Sequence, residues 1–445
     1  MKYKYLIKGF PSEKIVEEIS KIKNEPNFVK KFRLKGLKTF FSKPIPKWGP
    51  DLSKIDFNIT YYAKPEIDIA SDWEKLPKKI RKIYEELKIP EIEKRYLGGI
   101  EAQFDSEIIL KKVREELKKE GIIFTYPDDA LKNYPNIFKK WLGKIVPPSD
   151  NKFAALNTAF FSGGSFIYVP PYKKVPLPLQ TFFRMNVEKI GQFERTLIIA
   201  DVGSELTYIE GCSAPTYSKH SLHSAVVEIV ALKNSKVRYI TLQNWSKNVY
   251  NLVTKRAFVY ENARIEWVDA NIGSKVTMKY PSVYLIGKNS SAEFLSVTYA
   301  GKDQIQDTGA KVIHLAKNTK STIIAKSVSQ NGGETTYRGL VKIGKSADFS
   351  KAFVKCNSLI LDEMSKSNSI PYSDIRNNSS TFIHETFTGK ISEDKLFYLM
   401  SRGIDEDKAI CLLVTGFFND FIKQIPLEHS VEFKRLIELE ISENI

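Results

Sequence analysis

Three cysteines, five histidines and no Cys-x-x-Cys pair limit the thiol and metal chemistry open to this 445-residue chain. Cys356, in Phe353-Val354-Lys355-Cys356-Asn357-Ser358, precedes His384-Glu385 by 28 positions (356 to 384). If that interval is one coil of a stacked repeat, a thiol, an imidazole and a carboxylate meet on adjacent coils. Thiolate with imidazole suits iron or zinc; the competing reading is a packed Cys and a surface His-Glu pair. A stable iron–sulfur cluster wants about four Cys-type ligands. One Cys with His and Glu would need ligands from a second chain and would hold a cluster weakly, which suits a scaffold that hands clusters on. A reactive thiolate needs a lowered pKa, and Lys355 is the neighbour placed to lower it.

The second thiol, Cys212, lies in Ile209-Glu210-Gly211-Cys212-Ser213-Ala214-Pro215 at a strand end, where packing and reactivity are both open. Cys411, in the apolar helical run Ala409–Phe418, reads as core. His220 and His223 have no acidic partner nearby in sequence and read as structural. His314 sits within a strand as a satisfied core residue, and His429 on an exposed helix face. Glu194-Arg195 is either a solvated pair or a structural bridge.

Three short motifs point elsewhere. Gly339–Ser346 fits G-x-x-x-x-G-K-[ST], Leu359–Glu363 has Walker B character, and Ser162-Gly163-Gly164 is like an ABC signature loop. An ABC-type ATPase using Gly339–Ser346 is therefore the rival reading. A P-loop must open into a helix whose N-terminal amides hold phosphate, whereas the residues after Ser346 alternate like a strand. The signature-like loop also precedes the Walker A segment, the reverse of ABC order.

The elements that must position Cys356 and His384 follow from a recurring turn. Lys233-Asn234-Ser235, Glu261-Asn262-Ala263, Lys288-Asn289-Ser290, Lys317-Asn318-Thr319 and Lys345-Ser346-Ala347 recur at intervals of 28, 27, 29 and 28 residues. A fixed period of this size marks a stacked repeat. Between the turns, short runs rich in Val, Ile, Leu, Tyr and Thr read as strands. One unit cannot bury its apolar face alone, and stacking does so. The expected fold is mainly β, a parallel β-helix core over 149–388. Residues 1–148 read as a mostly helical N-terminal region with helices at Glu13–Ile22, Glu25–Phe41, Leu76–Leu87 and Ile108–Glu120 and a loop at Ala63–Ile69. A helical segment follows at 389–445, with Ser392 as an N-cap. A β-sandwich is the alternative, but its turn signals should recur more often.

The formal charge of +16 spreads along the whole chain beside Asn, Ile, Phe and Tyr. That mixture looks like AT-rich coding and carries no nucleic-acid motif, so no nucleic-acid partner is expected. No apolar run reaches about 18 residues, so no membrane span is expected. The N-terminal residues show no signal-peptide core, and three scattered cysteines suit a reducing compartment.

Longer motifs carry a resemblance. Phe183-Arg184-Met185-Asn186, Gly191–Ala200, Glu210–Pro215, Gln243-Asn244-Trp245, Asn251–Arg256, Tyr337–Val341 and Ile391–Ile404 occur in the order found in the SufB/SufD family of the SUF iron–sulfur assembly system. Within that family they closely resemble the SufB type, from about Asn24 to the C-terminus. The resemblance implies a right-handed parallel β-helix and a scaffold on which sulfur and iron form a labile cluster for transfer to apo-proteins. It implies that Cys356, His384 and Glu385 hold the nascent cluster, Cys212 accepts sulfur, and Arg184 and Asn186 line the sulfur route. The implied partners are a SufC ATPase docked on the C-terminal helices, SufD or a second SufB-type chain, and a SufS/SufE sulfur donor, with reduced flavin linked to the bacterial complex. A SufD-like chain with no cluster ligand of its own is a further alternative. Ile383 stands where the family often has Glu, which leaves the ligand set open. AT-rich composition without a transit sequence resembles the plastid-encoded form, including that of apicoplasts, with the bacterial cytoplasm as the alternative.

Overall fold

A computed structural model of the chain describes residues 2–86, 89–215 and 220–443. The recurring turn sets the architecture. Asn234, Asn262, Asn289 and Asn318 adopt left-handed geometry, with φ of 60°, 55°, 61° and 59°, a conformation Asn tolerates better than most residues. Their side chains stack: Asn262 Nδ2 donates to Asn234 Oδ1 at 3.0 Å and Asn289 Nδ2 to Asn262 Oδ1 at 2.9 Å. The fifth turn differs, its left-handed residue being Phe349 and not Ser346.

Each turn carries the chain from one parallel sheet to a second. The first sheet runs from Gly99–Phe104 through Leu179–Arg184, Glu205–Ser213, Lys236–Trp245, Arg264–Gly273, Ser291–Ala300, Lys320–Ser329 and Lys351–Ile360 to Thr381–Lys390. The second runs from Phe166–Val169 to Glu334–Ile343 and Lys366–Ile375. Together they form the expected parallel β-helix, of about 8 turns. Its inner core includes Ile229, Val237, Ile265, Val283, Val312 and Val341.

The N-terminal region holds more strand than its pattern suggests. Gly99–Phe104 pairs in parallel with Leu179–Arg184, so the first sheet begins well before residue 148. Ala63 falls in a strand, Ile59–Pro65, paired antiparallel with Tyr3–Gly9. Ile108–Val113 belongs to strand Glu107–Val113, and only Glu115–Lys119 is helical. Ile108, Ile109 and Leu110 are all buried; a strand covered on both faces loses its alternation and reads as a helix. Helices form at Glu13–Ile22, Asn27–Ser42 and Lys78–Glu86, and Leu87 lies outside the described residues.

The C-terminal helices Glu393–Ser401, Glu406–Phe417 and Leu427–Glu443 follow the last strand, and the Ser392 hydroxyl accepts from the Lys395 amide. Phe418, Phe421, Phe433 and Ile437 cover the outward residues Ile209, Ile240 and Val268 of the first sheet. Gly339–Ile343 is the end of a strand, and the next element, Lys351–Ile360, is also a strand. The Walker-like segment thus meets no helix N-terminus and has no P-loop geometry. Among the described residues, no helix is long and apolar enough to cross a membrane.

Candidate functional site

Along Lys351–Ile360, Ala352, Val354, Cys356 and Ser358 face inward while Phe353 and Lys355 face out. The last coil advances 30 residues, from Lys351 to Thr381, and not 28, so Cys356 stands in register with Thr386, and His384 with Val354. His384 shares the inward face two residues back, and its ring reaches across: Cys356 Sγ lies 3.7 Å from His384 Nε2. Thr386 Oγ1 is 3.1 Å from the same nitrogen. Thiol and imidazole are thus brought together on the final two rungs.

The carboxylate is not. Glu385 lies on the opposite face and pairs with Lys355 at 3.1 Å. Lys355 is therefore turned away from the thiol and does not lower its pKa. Burial pushes the Cys356 thiol up to about 12, opposed by the nearby Tyr337 hydroxyl, which makes no well-formed hydrogen bond of its own. Burial also lowers the His384 pKa, favouring the neutral, metal-binding imidazole. Such a thiol stays protonated until a cation displaces the proton. Among the described residues, no three His, Cys, Asp or Glu side chains converge on one metal-sized site.

Cys212 is 2% exposed and faces inward. Burial raises its pKa, Glu210 and Glu194 add to the shift, and Lys255 and Lys279 oppose it. Arg184 pairs in register with Ser213, on the sheet face opposite Cys212, and its Nη1 donates to Ser213 Oγ at 2.9 Å. Asn186 lies past the strand end, its Nδ2 donating to the Tyr3 hydroxyl at 3.2 Å. Arg184 thus faces away from the lumen beside Cys212, and Asn186 follows the strand end.

Between the two thiols runs a polar path that motif reading missed. In register, one inward row of the first sheet reads Glu210, Thr241, Asp269, Ser296, Ala325, Cys356. The row two residues along reads Cys212, Gln243, Asn271, Thr298, Ser327, Ser358. The second sheet supplies His223, Asn251, Thr277, Gln306 and Thr335. The rows are cross-linked: Asn251 Nδ2 donates to Gln243 Oε1 at 2.8 Å, and Thr298 and Thr308 hydroxyls lie 3.3 Å apart. Lys255 Nζ donates to Thr241 Oγ1 at 2.7 Å, and Lys279 Nζ lies 3.4 Å from Asp269. Five rungs separate the thiols, roughly 24 Å at the usual strand spacing. The signal is a polar-x-polar triplet in most coils, such as Glu210-x-Cys212 or Asp269-x-Asn271, interrupted at Ala325-x-Ser327.

Other residues depart from their sequence reading. His223 has an acidic partner, Glu194, at 2.9 Å, supplied by a neighbouring coil. Arg195 faces away from it and pairs with buried Glu228 at 2.7 Å, which makes it a structural bridge. His429 is buried, not exposed. His314 is satisfied by Thr319 and Ser321 at 2.7 and 2.9 Å.

Comparison with known proteins agrees with this architecture. Residues 183–417 match the family profile described as SUF system FeS cluster assembly, SufBD core domain, and residues 16–181 match the SufBD protein N-terminal region. An iron–sulfur cluster assembly SufBD family protein of Staphylococcus aureus strain MRSA252 is 52% identical over 435 residues, 98% of this chain and 94% of the relative. A Staphylococcus epidermidis counterpart is 51% identical over the same shares. These relatives are bacterial, which overturns the plastid and apicoplast expectation; a Lys-, Asn- and Ile-rich composition is not specific to an organelle. With both profiles matched in order and half the residues shared with these relatives over nearly its whole length, the chain belongs to the SufBD family of the SUF iron–sulfur cluster assembly system.

Proposed function

We propose that this chain is a scaffold of the SufB type, working in a bacterial cytoplasm, in which sulfur taken up at Cys212 reaches Cys356, where it joins iron in a labile cluster. The observation that carries this reading is the placement of Cys356 and His384, 3.7 Å apart on the last rungs, at the end of a polar path that begins at Cys212. Two ligands are too few for a cluster, and Glu385 would have to swing over the strand edge to add a third. The remaining ligands come from a second chain, SufD-like or another copy, seated on the last coil. That coil ends both sheets and exposes Ile370, Tyr372, Ile383 and Phe387. Unpaired strand edges with apolar side chains favour such a partner.

Phe397, Tyr398 and Leu412 on the C-terminal helices are exposed and offer a docking face for a SufC-type ATPase. The sulfur donor is of the SufS/SufE type. Reduced flavin is assigned no residues on this chain. A SufD-like role without a cluster is the second reading, since the family contains both types. Anaerobic reconstitution with ferrous iron and sulfide separates them. The scaffold reading expects cluster absorption in the wild-type complex that is lost in Cys356→Ser; equal absorption from both removes Cys356 from the site.

A further inference from the structure

Asp105 occupies a conformation and an environment that its sequence does not announce. It sits at the tip of the hairpin joining Gly99–Phe104 to Glu107–Val113, in left-handed geometry with φ of 54°. It is fully buried. Its amide donates to the Arg184 carbonyl at 2.8 Å, continuing the strand pairing by one residue. Its carboxylate then collects the next groups of the adjoining segment. Oδ1 accepts from the Asn186 amide at 2.6 Å and the Val187 amide at 3.0 Å, while Oδ2 accepts from the Tyr3 hydroxyl at 2.8 Å. Its carbonyl accepts from the Gln103 and Gln192 side chains at 2.8 and 3.0 Å.

The segment so held is the wall of the Cys212 site. Met185 and Val187 pack with Cys212, Phe183 and Trp245. The Met185 amide donates to the Ser213 carbonyl at 3.1 Å, and the Arg184 guanidinium to the Ser213 hydroxyl, next to the thiol. Resting on the reading of Cys212 as sulfur acceptor, we propose that Asp105 is a positioning residue for sulfur uptake, fixing residues 184–187 so that the Cys212 sulfur meets an incoming persulfide in line. In that step Cys212 sulfur bonds to the outer sulfur of the donor persulfide and the donor's S–S bond breaks. The donor leaves as a thiol carrying the Cys212 proton, and Cys212 becomes the persulfide.

The charge of Asp105 works against the fold. Burial raises its pKa to about 6, opposed by the Asn186, Tyr3 and Val187 hydrogen bonds and by the Arg184 charge. Tyr84, from the Lys78–Glu86 helix, feels the Asp105 charge in turn, and Glu107 on the same hairpin is held by Lys23 at 3.0 Å. A carboxyl whose folded pKa lies above its unfolded value is a net cost to the fold when ionised at neutral pH. The hydrogen bonds it gives residues 186 and 187, and not a stability gain from its charge, are therefore what Asp105 contributes.

The test follows sulfur uptake at Cys212 in the purified chain, using glutathione persulfide as donor and peptide mass spectrometry to find the added sulfur. Asp105→Ala is expected to slow uptake by about a hundred-fold, the loss typical of a reacting group displaced by about 1 Å. Asp105→Asn, which keeps an acceptor oxygen for both amides, is expected to restore most of that rate and to fold at least as stably as wild type at neutral pH. Protonation of Asp105 is expected to leave wild-type uptake without an inflection near pH 6, because the neutral carboxyl, like the Asp105→Asn amide, still accepts from both backbone amides. Alanine uptake within two-fold of wild type, or Asp105→Asn uptake ten-fold or more below wild type, overturns the proposal; the second comparison stands even if Asp105→Ala does not fold. A wild-type chain that takes no sulfur at Cys212 refutes the uptake reading beneath it instead.

Discussion

Replacing Lys279 by Met should make this protein more stable and less able to move sulfur. Lys279 is fully buried in the lumen, its ammonium 3.4 Å from Asp269. Burial lowers its pKa from 10.5 to about 8; Asp269 and Glu210 oppose that shift, while the neighbouring Lys255 adds to it. The depression already includes the attraction to Asp269, and at about 1.4 kcal/mol per unit it amounts to roughly 3 kcal/mol against the charged form. The unfolded chain keeps this ammonium protonated up to about 10.5, the folded chain only up to about 8. Between those values the folded state holds fewer protons, so stability rises with pH through that window and the full cost is present below it. With Asp269 still 3.8 Å from the Lys255 ammonium, Lys279→Met should therefore gain up to about 3 kcal/mol at pH 7, shrinking toward zero by about pH 10. Urea unfolding across that range checks the magnitude, and transfer of labelled sulfur to Cys356 checks the loss of function. A variant less stable than wild type at pH 7, or a wild-type stability that falls between pH 8 and 10, would refute the reasoning.

Other perturbations have defined outcomes. Glu228 accepts from the Arg195 guanidinium and from the amides of Gly143, Ile145 and Val146; Glu228→Gln leaves a buried guanidinium unpaired and should cost about 3–5 kcal/mol by denaturant titration. Asn262→Val places a β-branched residue at φ of 55° and removes a rung of the asparagine ladder, so an unfolding loss of about 1–3 kcal/mol is expected. With its thiol pushed up to about 12, Cys356 should alkylate about ten-fold faster for each pH unit gained across pH 7 to 10; a rate that levels off near pH 8 would contradict the buried, protonated thiol.

Fold and site were unequally legible in the sequence. The Asn234, Asn262, Asn289 and Asn318 turns announced the β-helix because each needs a residue that tolerates left-handed geometry, and that demand recurs with every coil. The same regularity misled at the far end. A 28-residue coil would stack His384 directly on Cys356, but the last rung advances by 30 residues, from Lys351 to Thr381. His384 still meets the thiol because it keeps the inward parity; Glu385, one residue on, takes the opposite face and cannot. Lys355 was read as a neighbour of the thiol because sequence adjacency ignores that same alternation. The N-terminal strands were missed because Ile108, Ile109 and Leu110 are covered on both faces, which erases the period of two. His223 and Glu194 are 29 positions apart (194 to 223), and no local pattern pairs them. The polar rows are visible in principle as polar-x-polar triplets in most coils, but individually such triplets are ordinary strand sequence and become a path only once the register is known. Asp105 gave no signal, because its role lies in backbone amides of a segment some 80 residues away.

The central claim is that sulfur enters at Cys212 and arrives at Cys356. Isotopically labelled persulfide sulfur, offered anaerobically to the assembled complex and located by peptide mass spectrometry, tests it most directly. The account predicts label at Cys212 first and Cys356 later in the wild-type chain, and none at Cys356 in Cys212→Ser. Labelling of Cys356 that proceeds equally well without the Cys212 thiol would contradict it.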